Sequence, residues 1–167
     1  INTTITKNKA TTSSGGGVSV WNPGGAAVLF HNTIVAGNET PNFPYYRDFV
    51  GTISSDSSHN LVGLGYVGLG ISDGDAMSNQ VGFGTPTDPL LAPLGDYGGR
   101  TKTHALLSGS RAINAGGDQS AGGLTSDQRG AGYDRKFGAA VDIGAYELQQ
   151  PFSLNSDHDV IFVVGEG

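Results

Sequence analysis

Apolar and polar positions alternate along the first half of the chain in short bursts, each closed by a glycine-rich corner. The clearest burst is Val28-Leu29-Phe30-His31-Asn32-Thr33-Ile34, a period-two run that predicts a strand. Around it lies an internal echo. Asn2-Thr3-Thr4-Ile5-Thr6-Lys7-Asn8 returns as Asn32-Thr33-Ile34-Val35-Ala36-Gly37-Asn38, every position moved by 30. Between the copies stand Gly15-Gly16-Gly17-Val18-Ser19-Val20 and a turn signal at Asn22-Pro23-Gly24-Gly25. β-branched residues and sharp corners at such a period predict a solenoid, in which each coil buries its apolar face on the next, about 4.8 Å away. Equivalent asparagines, Asn8 and Asn38, are placed to stack as a hydrogen-bonded ladder inside a bend.

The pattern divides the chain in three. Residues 1–87 read as coils and residues 88–148 as a less regular segment that closes the stack. Leu90, Leu91, Leu94, Leu106, Leu107 and Ile113 are expected on its apolar side, because a last coil must be covered to stay in water. Residues 149–167 read as a polar linker followed by a strand, Asp159-Val160-Ile161-Phe162-Val163-Val164-Gly165, the most β-prone apolar run in the sequence. Three roles stay open for it: pairing with its own closing segment, starting a further domain, or adding to the open end of another copy. The last would give head-to-tail filaments.

Composition sharpens the fold class. Glycine contributes 28 of 167 residues, whereas helix formers are scarce, with three Glu, four Lys and one Met. That excludes a helical bundle and leaves an all-β chain with a narrow core. A net charge of −6, with nine scattered basic residues, argues against nucleic acid, which needs a concentrated basic field. No eighteen-residue apolar run is present, so no membrane span is expected. With no cysteine the chain has neither disulfides nor cysteine-ligated metals. It starts at Ile1 without a leader and reads as a piece of something longer.

Several segments then carry a family resemblance. Phe30-His31-Asn32-Thr33-Ile34-Val35-Ala36-Gly37-Asn38, Gly51-Thr52-Ile53-Ser54-Ser55 and His59-Asn60-Leu61-Val62-Gly63 resemble the last coils of bacterial right-handed parallel β-helix surface proteins. Asp88-Pro89-Leu90-Leu91-Ala92-Pro93-Leu94, Tyr97-Gly98-Gly99-Arg100-Thr101-Lys102-Thr103-His104-Ala105-Leu106-Leu107, Ser110-Arg111-Ala112-Ile113-Asn114-Ala115-Gly116, Asp127-Gln128-Arg129-Gly130 and Asp142-Ile143-Gly144-Ala145-Tyr146-Glu147 resemble, in that order, a choice-of-anchor Q domain. The resemblance implies a pectin-lyase-like fold and an exported protein held at or beyond the cell surface. Some relatives carry cysteines near the positions of Phe49 and Leu69, which this chain lacks.

Candidate chemistry is sparse. Asp73-Gly74-Asp75 is the most compact acidic group and offers two carboxylates to Ca²⁺, though it lacks the further oxygens of a complete calcium loop, and its other reading is a solvated turn. No cofactor is required. Trp21, Tyr45 and Tyr46 neighbour turn signals, so their flat faces are candidates for carbohydrate, with packing over a coil as the other reading. Arg135-Lys136 reads as ordinary loop charge, and His59 and His104 read as residues that end a strand or fasten a loop. Arg129 is expected to form a partly buried ion pair with Asp142 or Glu147, since an Arg fork grips a carboxylate as Lys does not.

The function expected is therefore a non-catalytic, extracellular structural or adhesion module of β-helix type, with end-to-end self-association as its extension and polysaccharide or cell-surface components as partners. The alternative is the C-terminal part of a polysaccharide lyase or glycoside hydrolase acting on acidic polysaccharide.

Overall fold

The computed structural model describes residues 1–12, 14–21, 25, 27–66 and 68–149. Among these residues six short strands form: β1 (Thr4–Ile5), β2 (Val18–Ser19), β3 (Ile34–Val35), β4 (Phe49–Val50), β5 (Leu61–Gly65) and β6 (Gln80–Phe83). β1, β3, β5 and β6 lie side by side in that order, and β2 pairs with β4 in a second sheet. Every pairing between them is parallel. Thr4 faces Ile34 and Ile5 faces Val35, so the 30-residue echo is the register of the first pair.

The expected solenoid, a right-handed parallel β-helix, does not form. The strands are two to five residues long and divide between two small sheets. Residues 88–148 hold no strand, only isolated antiparallel bridges such as Leu91 with Leu106 and Gly95 with Thr103. The physical reason lies in the spacing of equivalent residues, which shrinks from 30 to 27 to 19 along the chain. A repeat that shortens at each step does not sustain a long stack, and turns occupy the length that longer strands would need.

The closing segment is also placed differently from expectation. It lies across one face of the four-stranded sheet. Gly117 exchanges two hydrogen bonds with the Asn32 side chain, at 2.8 and 3.0 Å, Gly144 N–H donates to Asn32 O, and Ala145 N–H donates to Thr4 Oγ1. The central strands β3 and β5 are thus buried on both sides, because successive residues of a strand face opposite ways. Ile34 and Leu61 pack with Leu106, Ala112 and Ile143 under the closing segment. Val62 and Val81 pack with Phe49, Ile53, Leu69 and Ile71 on the side of the two-stranded sheet. Of the six residues expected on the apolar side of the cover, Leu106 is buried and Leu91 and Ile113 pack against that cluster, while Leu94 and Leu107 are exposed. Leu90 is half-buried.

Two residues before each strand of the larger sheet the backbone turns left-handed, at Asn2, Asn32, His59 and Ser78, with φ between 49° and 58°. Asparagine and histidine tolerate that region better than most side chains, so these corners form without glycine. Beyond the strands, the asparagine ladder forms. Asn8 N–H and Nδ2 donate to Asn38 Oδ1, and Asn38 Nδ2 donates to Asp48 Oδ1. Gly17 and Gly63 allow the ladder to fit, since a Cβ on either would stand 2.6 Å from Asn38 Nδ2 or Asp48 Oδ2. Asn38→Ala is expected to cost on the order of 2–3 kcal/mol in denaturant unfolding, because Asp48, Ile5 and Asn8 all lose a buried partner.

Candidate functional site

The densest group of charges lies where the closing segment meets β1. Asp127, Arg129, Arg135, Asp142 and Glu147 are all buried. Arg129 grips Asp127 in a fork, with Nε 3.0 Å and Nη2 2.7 Å from Oδ2, and donates to Glu147 O. Its guanidinium is held between the rings of Tyr133 and Tyr146, at 4.0 and 3.8 Å from their centroids. Arg135 donates to Glu147 Oε2 at 3.2 Å, to Asn2 Oδ1, and to the carbonyls of Asp142 and Gly144.

The expected pairing of Arg129 is thus half right. It is a buried ion pair, but its carboxylate is Asp127, two residues back, and the side chain of Glu147 pairs with Arg135. Asp142 meets no arginine fork; its oxygens accept the N–H groups of Asn114 and Leu148. Arg135, read from sequence as a loop charge, is the most deeply committed cation of the fold. Lys136 behaves as expected, pairing at the surface with Asp118. Arg129→Lys keeps the charge but loses the fork and the ring stacking, and is expected to lower stability by about 2 kcal/mol in a thermal melt. An unchanged melting temperature would show the clamp to be unimportant.

Burial sets the ionisation of this cluster. Desolvation pushes the Glu147 carboxyl up from 4.5 to about 7, although the N–H groups of Asp142 and Phe137 and the Arg135 charge pull the other way. Asp142 is raised by the same cause, and burial lowers the Arg135 guanidinium against the attraction of Glu147, Asp142 and Asp127.

Beside the cluster, between β1 and residues 124–128, an open cleft of about 360 Å³ is lined by Asn2, Thr3, Thr4, Gln128 and Arg135 among others. A second of about 120 Å³ shares Thr4, Gln128 and Ala145 with it and continues past Lys102 and His104. His104 Nδ1 sits 2.8 Å from Ala92 O, fastening a loop as its position in the sequence suggested.

The remaining candidates lie apart. Asp73 and Asp75 belong to the turn before β6 and are engaged there. Asp73 Oδ1 accepts the Val81 N–H and meets Arg111, while Asp75 accepts the N–H groups of Ser72, Met77 and Asn79 and the Asn79 side chain. Burial alone would raise Asp75, but those bonds hold its carboxyl below the usual value. Among the described residues no three His, Asp or Glu side chains gather as a metal ion would require. Trp21 is 91% exposed and Tyr45 69%, whereas Tyr46 stacks edge-on against Tyr66, which is bonded to Gly51. The C-terminal run 159–165 lies outside the described residues. No helix among those described is long and apolar enough to cross a membrane. Compared with protein-family models, curated proteins and solved structures, the chain matches none.

Proposed function

We propose that this chain is a non-catalytic module of an extracellular or cell-surface protein, whose work is contact and adhesion. The observation that supports the reading is how the charges are used. Both oxygens of each carboxylate in the buried cluster accept from N–H groups of the chain itself, and the side chains are closed off from solvent, so none is presented to a substrate as acid or base. Trp21 and Tyr45, the most exposed large apolar side chains among the described residues, present flat surfaces of the kind that lie against sugar rings.

Two measurements on the purified chain test this. Incubated with polygalacturonate or alginate, it is expected to release neither unsaturated nor reducing ends. Release of either would replace this reading by the lyase or hydrolase one. Trp21 is the chain's one tryptophan, so its emission reports the surroundings of that exposed ring alone. Titration with surface polysaccharides is expected to shift that emission saturably, and an emission that no polysaccharide shifts would count against sugar contact at Trp21.

A further inference from the structure

The two outer edges of the four-stranded sheet are treated differently. At β6 the edge is closed by carboxylates: Asp73 takes the outward N–H of Val81, and Asp75 takes the N–H and side-chain amide of Asn79, ending the ladder that runs to it from Asn60. An acceptor-only residue at the end of a donor chain stops further pairing there.

At β1 nothing comparable is present among the described residues. Ile34 N–H donates to Thr3 O and Ala36 N–H to Ile5 O, so residues 3 and 5 serve β3. By the alternation of a parallel ladder, the N–H and C=O of Thr4 point away from β3, and Thr4 is among the residues that line both clefts. The asparagine ladder is open on the same side. Asn38 Oδ1 accepts from both the N–H and the Nδ2 of Asn8, whereas Asn8 Oδ1 accepts from no described residue. Lys7 and Lys102, the second of which lines the smaller cleft, have no ion-pair partner among the described residues.

We propose that β1 is a docking edge for an extended strand of another polypeptide, added in parallel, with a β-branched pair opposite Thr4–Ile5, an asparagine three residues after that pair, and an acidic residue following it. Thr4 N–H donates to one carbonyl of the incoming strand and Thr4 C=O accepts from an N–H two residues further on. The asparagine gives its N–H and side-chain N–H to Asn8 Oδ1, as Asn8 does to Asn38. An aspartate there has no side-chain donor, and its charge is repelled by the Asn8 oxygen. The lysines favour the acidic flank. This inference stands apart from the exposed aromatic rings and holds whether or not they meet a polysaccharide.

The probe is a capped peptide with the sequence of residues 30–40, which carries the pattern and a glutamate after its second asparagine. Added to the full chain, it is expected to bind saturably and to slow hydrogen exchange at the Thr4 amide at least about tenfold. Changing its second asparagine to aspartate is expected to weaken binding about tenfold, and Lys7→Glu in the chain weakens the parent peptide while leaving the fold unchanged. Absence of binding, binding without protection of Thr4, or equal binding of the aspartate peptide would each overturn the proposal. So would a Thr4 amide already protected in the free chain, which would mean that the chain itself or a second copy closes the edge.

Discussion

Arg135→Met is expected to destabilise the chain by roughly 3–5 kcal/mol, a fall of about 10 °C or more in melting temperature. Arg135 is buried and its guanidinium serves four groups at once: the Glu147 carboxylate, Asn2 Oδ1 and the carbonyls of Asp142 and Gly144. Methionine approximates its length and apolar stem, so the loss isolates the charge and the hydrogen bonds from the volume. Three acceptors lose a donor, and Glu147 loses its counter-ion in a place that water does not reach. The effect should spread to β1, because the bond to Asn2 joins the start of the chain to residues 142–147. Amide exchange in β1 is therefore expected to quicken more than exchange in β6. Adding Glu147→Gln to the Arg135→Met chain is expected to recover at least about 1 kcal/mol, the coupling of two groups that touch. An Arg135→Met chain within about 1 kcal/mol of its parent would show that the cluster does not hold the closing segment.

The reasons sequence reading succeeds at some of these positions and fails at others are physical. The echo between residues 2–8 and 32–38 is legible because parallel pairing places equal residues opposite one another, and the Thr4 to Ile34 register and the Asn8 to Asn38 bond follow from it. The solenoid does not follow, since the next steps are shorter and pair unlike residues: Ile34 meets Leu61, and Leu61 meets Gln80. Arg129 is legible as a clamp, but not its partner; a pairing across two residues leaves no more trace in composition than one across eighteen. Arg135 is illegible for a stronger reason. It stands in a polar, glycine-rich loop without periodicity, and its burial depends on meeting Asn2, 133 positions away. The role of Asp73 and Asp75 is hidden similarly, because a pair of aspartates about a glycine looks the same whether it closes a sheet edge or faces water.

Stability is expected to fall as pH rises through neutrality, the reverse of what salt-bridged carboxylates usually give. The buried cluster sets three carboxyl groups, Asp127, Asp142 and Glu147, against two guanidinium groups, Arg129 and Arg135, so one carboxylate is in excess and holding one proton makes the cluster neutral. Desolvation favours that proton and lifts Glu147 to about 7, with Asp142 raised in the same direction beside it. Asp48, buried with Oδ2 lacking a partner among the described residues, is raised by burial too. A carboxyl whose folded value lies above its unfolded value binds more protons in the folded state. Its contribution is fully present below about pH 4.5 and is lost as pH climbs through about 7. For Glu147 alone the loss amounts to about 3 kcal/mol, enough to lower the melting temperature by about 6–12 °C between pH 5 and pH 8.5. Asp75, held below its usual value, acts oppositely and only at more acidic pH. Glu147→Gln is expected to be less stable than the parent at pH 5, because its amide N–H₂ must face the donor of either Phe137 or Asp142, yet to lose less of its melting temperature than the parent between pH 5 and pH 8.5, the remaining decline coming from Asp142 and Asp48. Arg135→Met should steepen the parent's decline, since removing the guanidinium raises the cost of ionising Glu147 further. A parent chain that became more stable between pH 5 and pH 8.5 would show that Glu147 is ionised throughout and that Arg135 outweighs its desolvation.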